Sequence, residues 1–556
     1  MDDITICTEG AAGARWILRS LEKLVSWARM KFKPKKSRSL VIKKGKAEES
    51  CTFTIQGEKI PTLQDAPIKC LGKWYRGDLS NGENIKTVEE EVRVMLKKIE
   101  ETALPGKFKV WIVEYGMLPK LSWPMLMYEI PKTTLQRIAR RVTGHIKKWM
   151  GTPPSLSAAC LYSRSAKLQL PISSVEEEYR VTKAGAVMML RGSKDKRVQG
   201  ARVEVTTKRG WSAEEAVDRA ESRLHHREIV GIVNKGRQGL GMETSRMWSK
   251  EPDKGRRDLI RQEVRQEVEQ DRREKAVSMS KQGEWLNWDG VTERPITWND
   301  LWKKSDYAIK FMICSVYDLL PTPANLELWG KRQESACILC GRRASLEHIL
   351  SSCNTALVQG RYRWRHDQVL RTMAMKLDHH RRNAVPSSKS HNFINFVKSA
   401  ERPKNRGKPP GAEGLLAATQ DWKMEVDLDK KLVFPHEITT TTLRPDIILW
   451  SPGRKIVIMI ELTVPWETRA QQAHERKRLK YDQLLADCVQ QGWKGWCFPV
   501  EITARGFSTS SVWRLTTMLG LRGKIRKEFN KDLAEEAERA SCWLWLKSGS
   551  KEWSSK

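Results

Sequence analysis

Long apolar runs are missing from this sequence. No stretch approaches the roughly 18–20 apolar residues that a membrane-spanning helix needs, and runs such as 456–460 have the length of a strand. The first residues carry neither the basic segment nor the apolar stretch of a secretory signal. Cysteines number only 11 in 556 residues, and without secretion they are expected as thiols or metal ligands. We therefore expect a nuclear or cytoplasmic protein that is neither secreted nor embedded in a membrane.

Acidic residues are scarce beside basic ones. The chain has 67 Asp and Glu against 100 Lys and Arg, which gives a formal net charge of +33. Such an excess predicts a polyanionic partner, and nucleic acid comes first because phosphate contacts dominate its binding through counterion release. An apolar content of 40% with 23 Trp excludes wholesale disorder. At roughly 100–200 residues per domain, the length allows about three or four domains.

Changes in composition along the chain predict six segments in an α/β and α multidomain protein. They are a mixed region at 1–80, a helical region at 81–196, a charged helical linker at 197–284, a helical region with a Cys/His cluster at 285–382, a flexible linker at 383–413 and an α/β region at 414–547. The elements predicted in the last segment are strands at 446–450, 455–464 and 496–502, and helices at 467–490, 511–519 and 532–546.

Basic side chains concentrate in two stretches that contain no acid, 29–46 and a helix predicted at 133–149. We expect these side chains to contact the phosphate backbone of nucleic acid. A basic run of the kind found at 31–46 can also act as a nuclear import signal. The residues expected to bind nucleic acid are Lys31, Lys33, Lys35, Lys36, Arg137, Arg140, Arg141, Lys147 and Lys148.

A Cys/His cluster has the spacing C-x2-C-x7-H-x4-C. Its members are Cys337, Cys340, His348 and Cys353. Thiolate and imidazole ligands suit tetrahedral Zn²⁺, and four protein ligands leave no open position, so a structural zinc is expected. Gly341 lets the chain turn beneath the metal. The alternatives are unrelated buried thiols or a redox pair, and the redox pair lacks a βαβ context. By contrast, His366, His379 and His380 stand beside arginines, so a basic surface helix is expected there.

Two carboxylates flank a predicted hairpin in the last segment. Asp446 opens one strand, a turn lies at 451–454, and Glu461 ends the returning strand, so the hairpin brings the two side chains together. Carboxylates in an apolar sheet are costly unless paired or metal-bound, and oxygen ligands favour Mg²⁺ or Mn²⁺, which suits phosphodiester hydrolysis. Solvated strand-end carboxylates are the alternative. The basic helix at 475–481 offers Lys480 to orient water or neutralise charge. Further candidates at this site are Glu437, Glu501 and Tyr481.

Asp446, Glu461 and the helix at 477–481 resemble the restriction-enzyme-like endonuclease of site-specific non-LTR retrotransposons, a variant of the PD-(D/E)xK nuclease fold. In that variant the motif lysine lies on a helix, and Thr463 here stands at the ordinary lysine position. A C-C-H-C zinc cluster precedes the nuclease in that family, as the Cys/His cluster does here. The resemblance implies a metal-dependent DNA endonuclease that nicks a target site, with target DNA and element RNA as partners. On this helix we expect Lys480 to be the catalytic lysine.

The first part of the chain resembles the reverse transcriptase of the same family. Asp2 and Asp3 match the end of its x-x-D-D box, 68–75 resembles the primer grip, and 118–124 and 149–154 resemble the thumb. The resemblance implies a palm remnant and a helical thumb. In the family, a further catalytic aspartate and the fingers come before this point, so we expect a truncated enzyme that does not polymerise DNA. The alternative is a catalytically dead remnant that binds nucleic acid and cleaves nothing.

Overall fold

The structure, a computed structural model, describes residues 4–44, 46–48, 51–70, 72–78, 80–201, 211–238, 248–383 and 414–553, with only the backbone for 231–238. The protein is mixed α/β and 57% helical with small sheets, which confirms the broad class expected from the sequence. In the described ranges, no helix combines the length and the apolar character needed to cross a bilayer. Asp2, Asp3 and all but the first residue of the predicted linker 383–413 lie outside these ranges.

Helices make up most of the described chain. In chain order they are α1 Ala11–Trp27, α2 Gly82–Glu101, α3 Gly106–Ile112, α4 Leu118–Met127, α5 Lys132–Trp149, α6 Ala158–Tyr162, α7 Val175–Arg191, α8 Lys196–Gln199, α9 Ala213–Gln238, α10 Asp253–Val277, α11 Trp298–Lys303, α12 Asp306–Val316, α13 Pro323–Leu328, α14 Asn354–Val358, α15 Arg361–Asn383, α16 Ala470–Gln490, α17 Ser510–Met518 and α18 Gly523–Leu546. The strands are β1 Ile42–Lys43, β2 Lys46–Ala47, β3 Thr54–Ile55, β4 Glu58–Lys59, β5 Ile68–Cys70, β6 Lys73–Tyr75, β7 Leu168–Gln169, β8 Arg294–Pro295, β9 Lys423–Val426, β10 Ile447–Ser451, β11 Ile456–Thr463 and β12 Lys494–Glu501.

The chain divides into two compact units. The first consists of Met1–Leu104, Trp111–His145 and Ser173–Val268, and the second of Pro105–Val110, Ile146–Ile172 and Glu269–Lys556. This division is coarser than the six segments predicted from composition. Each unit has its own buried apolar core, and the largest sheet lies in the second unit.

In the first unit, helices α7 and α9 pack with the first part of α10 through buried side chains such as Ala184, Ala216, Ile260 and Val264. Small side chains in such a helix interface let the helix backbones approach closely. Beside this apolar interface, Arg223 of α9 lies 3.3 Å from the carboxylate of Glu263 on α10. Within the segment expected as a charged linker, α9 and the first part of α10 therefore pack together, because apolar residues recur beneath their charged surfaces.

The largest sheet of the second unit has the order β12-β11-β10-β9. Strands β9, β10 and β11 are antiparallel, and β12 joins parallel to β11 after the crossover helix α16. Successive side chains of a strand point to opposite faces. Ile447, Leu449 and Ile458 pack toward α15, α17 and α18, whereas Ile448 and Met459 pack toward α16. Helices therefore cover both faces of the sheet.

The predicted elements of this unit agree with the structure in most places. All three predicted strands are confirmed to within two residues at each end. The helix predicted at 467–490 begins with the 3-10 turn Glu467–Arg469, and α16 follows it. Helix α18 begins at Gly523, well before the predicted residue 532. The edge strand β9 lies outside the predicted set because its four residues alternate polar and half-buried apolar side chains and give a weak signal.

A buried ion pair supports the start of α16. Arg505 Nε donates to Glu467 Oε2 at 2.8 Å, and the Arg505 backbone N–H donates to Glu467 Oε1 at 3.0 Å. The guanidinium lies between the rings of Trp288 and Trp466, at 4.2 and 3.9 Å from their centroids. The pair ties the loop after β12 to the turn that precedes α16, and this contact fixes the helix that faces the sheet.

Candidate functional site

The four residues of the Cys/His cluster come together in the structure. Each offers one ligand atom, and these atoms all lie within 4.8 Å of one another. Cys340 Sγ and His348 Nε2 are 3.2 Å apart. Three thiols and one imidazole fit tetrahedral coordination, and zinc suits this donor set. The cluster could therefore bind a metal ion, and its four ligands would close the coordination shell.

A tight turn and a short π-helical segment, His348–Ser352, hold these ligands. The Gly341 N–H donates to Cys337 O at 2.8 Å, and Gly341 has a φ of +72°, a left-handed conformation that favours glycine. Tyr362 Oη accepts a hydrogen bond from the Cys353 N–H at 3.0 Å and lies 3.1 Å from the His348 carbonyl. Burial lowers the pKa of His348, which favours the neutral imidazole that a metal ion needs.

Asp446 and Glu461 meet at one end of the four-stranded sheet. Strands β10 and β11 pair Ile447 with Ile460, so the two acids occupy the next pair of positions. The Asp446 N–H donates to Glu461 Oε2 at 3.2 Å, and the Leu462 N–H donates to Asp446 Oδ2 at 2.7 Å. The Glu461 side chain is 3% exposed and the Asp446 side chain 14%. The structure thus brings together the two carboxylates that the hairpin predicts.

Helix α16 places two lysines and a phenol around Glu461. Lys477 Nζ contacts Glu461 Oε1, and Lys480 Nζ lies 3.6 Å from the same oxygen. Tyr481 Oη lies 2.8 Å from Glu461 Oε2 and accepts a hydrogen bond from Lys480 at 2.8 Å. Burial and the Glu461 charge raise the pKa of Tyr481 well above its usual value, so its hydroxyl stays protonated. Lys477 makes the closer contact with Glu461, although the sequence predicts Lys480. Residues four apart lie on the same face of a helix, so Lys477 shares the face of Tyr481, which also contacts Glu461.

A histidine from α15 completes this end of the sheet. His366 Nε2 lies 3.3 Å from Asp446 Oδ2 and 3.2 Å from Leu462 O, and its Nδ1 lies 3.1 Å from Asp367 Oδ1. Burial opposes a charged imidazole, but the hydrogen bonds with Asp367 and Asp446 outweigh it and raise the pKa of His366 to about 10. The expected surface position is wrong for His366, which is 24% exposed. No spacing in the sequence indicates this contact, because 80 residues separate His366 from Asp446.

The donor set at this end of the sheet fits a divalent cation. Asp446 and Glu461 offer carboxylate oxygens. The Leu462 carbonyl oxygen contacts the same ring nitrogen of His366 as Asp446 does, so it is also close to the Asp446 carboxylate. Oxygen donors of this kind suit Mg²⁺ or Mn²⁺. Thr463 Oγ1 is buried without a hydrogen-bond partner, on the same face of β11 as Glu461. The site therefore combines hard donors with an unused buried polar atom.

The two other acids predicted for this site form no hydrogen bond or ion pair with Asp446 or Glu461 within the described ranges, although Glu501 pairs with Thr463 in the sheet. Glu501, at the end of β12, is buried, and both of its carboxylate oxygens lie 3.2 Å from His474 Nδ1. Burial raises the pKa of Glu501, and the contact with His474 acts against that shift. Glu437 is exposed and accepts a hydrogen bond from Trp450 Nε1 at 2.5 Å, at the end of β10 remote from Asp446. Within the described ranges, neither acid contacts Asp446 or the lysines of α16.

Most of the predicted nucleic-acid-binding residues lie on the surface. Arg137 is exposed but paired with Glu89 at 2.5 Å, and Lys147 is half-buried and donates to Pro154 O at 3.0 Å. The other exposed members are Lys31, Lys33, Lys35, Lys36, Arg140, Arg141 and Lys148. The polymerase-like Asp2 and Asp3 lie outside the described residues, so the structure places no polymerase site.

No protein-family model matches this chain, and no curated protein matches it either. The resemblance to a retrotransposon endonuclease therefore stays a prediction that rests on the residues quoted for it.

Proposed function

We propose that the four-stranded sheet and its helices form a divalent-metal-dependent DNA endonuclease, within part of a site-specific non-LTR retrotransposon polyprotein. The observation that carries the proposal is the convergence of Asp446, Glu461 and Lys477 at one end of the sheet. Two carboxylates and a lysine are groups that metal-assisted phosphodiester hydrolysis uses. The net charge of +33 supports a nucleic-acid substrate, and the resemblance to the PD-(D/E)xK variant agrees with this assignment.

Each side chain has a distinct role in this proposal. Asp446, Glu461 and the Leu462 carbonyl would hold the cation, which supplies the Lewis acidity that polarises a phosphodiester. Lys477 would neutralise the negative charge that develops on the phosphate, since Glu461 fixes its ammonium at the site. Tyr481 holds the second oxygen of Glu461 and is a positioning residue. Lys480 donates to the Tyr481 hydroxyl, so we assign it a positioning role too.

The Cys/His cluster and the basic residues have supporting roles in this proposal. Zn²⁺ held by four protein ligands would have no open position, so it would stabilise the fold and take no part in hydrolysis. The exposed basic residues would bind target DNA and element RNA through their phosphates. We expect the polymerase remnant to be inactive, and template-directed extension of a primer by the purified chain would contradict that expectation.

Nicking of a supercoiled plasmid tests the endonuclease. The zinc-loaded full chain should produce open-circular DNA when Mg²⁺ or Mn²⁺ is added and none without either. Asp446→Asn and Glu461→Gln should each lower the nicking rate by about 100-fold or more, because each removes a charged oxygen donor. Asp482→Asn is the matched control, since Asp482 is an exposed acid of the same unit on α16.

Two outcomes would contradict the proposal. A chain that binds the plasmid but does not nick it with either metal would leave a nucleic-acid-binding remnant as its function. Equal nicking by wild type and Asp446→Asn would place the activity outside this site.

A further inference from the structure

The two ring nitrogens of His366 face three oxygen atoms that can accept hydrogen bonds. Its Nε2 faces Asp446 Oδ2 at 3.3 Å and Leu462 O at 3.2 Å, and its Nδ1 faces Asp367 Oδ1 at 3.1 Å. A neutral imidazole has one N–H donor and one lone pair. With oxygens opposite both nitrogens, one lone pair would point at an acceptor. The arrangement is satisfied when Nε2 meets a cation, either a proton or a metal ion.

The carboxylate behind the ring supports the metal ion. Metal-bound histidines usually donate their other ring N–H to a carboxylate or carbonyl, which fixes the tautomer and orients the ring. Asp367 is in that place, next to Nδ1. Nε2 then carries the lone pair and faces the two oxygens, Asp446 Oδ2 and Leu462 O, that the proposed function assigns to the cation.

The backbone that carries His366 is fixed at this position. Arg365, its neighbour in α15, is buried and donates to Val464 O at 3.0 Å and to Ser541 Oγ at 3.1 Å. Val464 follows the end of β11, so Arg365 ties α15 directly to the strand that carries Glu461. A ring held in this way is suited to ligation, because its placement needs no rearrangement of the helix.

We propose that His366 Nε2 is a protein ligand of the divalent cation, together with Asp446 and the Leu462 carbonyl. The inference rests on the proposed function in one respect, namely that a divalent cation binds at this end of the sheet. An imidazole donor suits Mn²⁺ or Co²⁺ better than Mg²⁺, which prefers oxygen ligands. The site should therefore bind Mn²⁺ more tightly than Mg²⁺.

Electron paramagnetic resonance of bound Mn²⁺ tests this without any activity measurement. The zinc-loaded full chain is titrated with Mn²⁺, and pulsed spectra of the bound ion are recorded with natural and ¹⁵N-labelled histidine. We expect a nitrogen coupling that changes with the label. His366→Ala should abolish the coupling and weaken Mn²⁺ binding by about tenfold or more, while Mg²⁺ binding changes less. His379→Ala is the matched control, since His379 is an exposed histidine of the same helix.

Several results would overturn the inference. Mn²⁺ that binds the wild type without a nitrogen coupling would show that His366 is not a ligand, even if the chain nicks DNA. A coupling that persists in His366→Ala would assign it to another histidine, such as His348 of the Cys/His cluster. Absence of Mn²⁺ binding up to millimolar concentration would also reject it. The two proposals can also be separated. If the nitrogen coupling is lost only in His366→Ala but the wild-type chain does not nick DNA, His366 is a metal ligand and the endonuclease proposal is contradicted.

Discussion

The Cys/His cluster and the carboxylate site could both hold a cation, but they are built in opposite ways. The four ligands of the cluster lie within residues 337–353 and are shaped by one turn and one short helical segment. The carboxylate site takes Asp446 and Glu461 from a hairpin, Lys477 from a crossover helix, and His366 from a helix that precedes them by a long stretch of chain. The first site depends on local structure, whereas the second exists only when the sheet and two helices are packed together.

Loss of zinc should have the largest effect on stability, and the unfolding that it causes should stay within the Cys/His cluster. Structural Zn²⁺ contributes about 10–16 kcal/mol of binding free energy in zinc-finger peptides, so Cys353→Ser should lose the ion and unfold the segment around Cys337. Elemental analysis should then show no zinc, and limited proteolysis should cut near residue 340. Cys542→Ala changes a buried thiol outside the cluster and should keep the metal. Full zinc content in Cys353→Ser would show that the four residues do not act together.

Breaking the buried ion pair between Arg505 and Glu467 should have the next largest effect on stability and should disturb the carboxylate site. Removing one partner of a buried pair typically costs about 3–5 kcal/mol, so Arg505→Leu should lower the free energy of unfolding by that amount in urea. Zinc content should be unchanged and nicking should fall. Arg539→Leu is the control, because its pair with Glu536 lies on the surface and should contribute less than about 1 kcal/mol. Similar losses in both variants would contradict this account of α16.

The two lysines of α16 should differ in their effect on nicking. Lys477 contacts Glu461 directly, whereas Lys480 lies 3.6 Å from that carboxylate and donates to Tyr481. Lys477→Ala should therefore reduce the single-turnover rate by about 100-fold, and Lys480→Ala by less than about tenfold. The reverse order would restore Lys480 as the catalytic lysine that the sequence predicts.

Asp421 should give the smallest effect, and a pH-dependent one. It braces the turn of the carboxylate hairpin, accepting from Ser451 Oγ at 2.5 Å and from the Gly453 N–H at 2.8 Å. The hydrogen bonds from Ser451 and Thr419 lower the pKa of Asp421 to about 2. Asp421→Asn should lower the free energy of unfolding by less than about 1 kcal/mol at neutral pH.

The sign of that pH dependence follows from the lowered pKa. A carboxylate whose pKa is lower in the folded state stabilises the fold above its unfolded value of 3.8 and loses this contribution as the pH falls through about 2. Urea midpoints of wild type and Asp421→Asn should therefore differ at pH 7 and converge near pH 2. A difference that is the same at both pH values would contradict the assignment.

The sequence predicts what is close along the chain and misses what tertiary packing brings together. The Cys/His ligands could be predicted because their spacing is local, and the pair of Asp446 and Glu461 because a hairpin fixes register over a few residues. The choice between Lys477 and Lys480 depends on the rotation of α16 against the sheet, which composition does not encode. The sequence predicts His366 on a surface because arginines flank it, whereas in the structure Arg365 is buried and contacts the residue that follows β11.

The proposed nuclease depends most on the end of the sheet at Asp446, where we place the metal-dependent site. The most direct test is the single-turnover nicking rate of the zinc-loaded chain as a function of Mn²⁺ concentration, beside Asp446→Asn, with plasmid binding measured on the same samples. We expect a rate that rises to a plateau in wild type and is about 100-fold lower in the variant, while the variant binds plasmid at least as tightly. A wild-type chain that binds plasmid with the same affinity and shows no Mn²⁺-dependent nicking would contradict the claim.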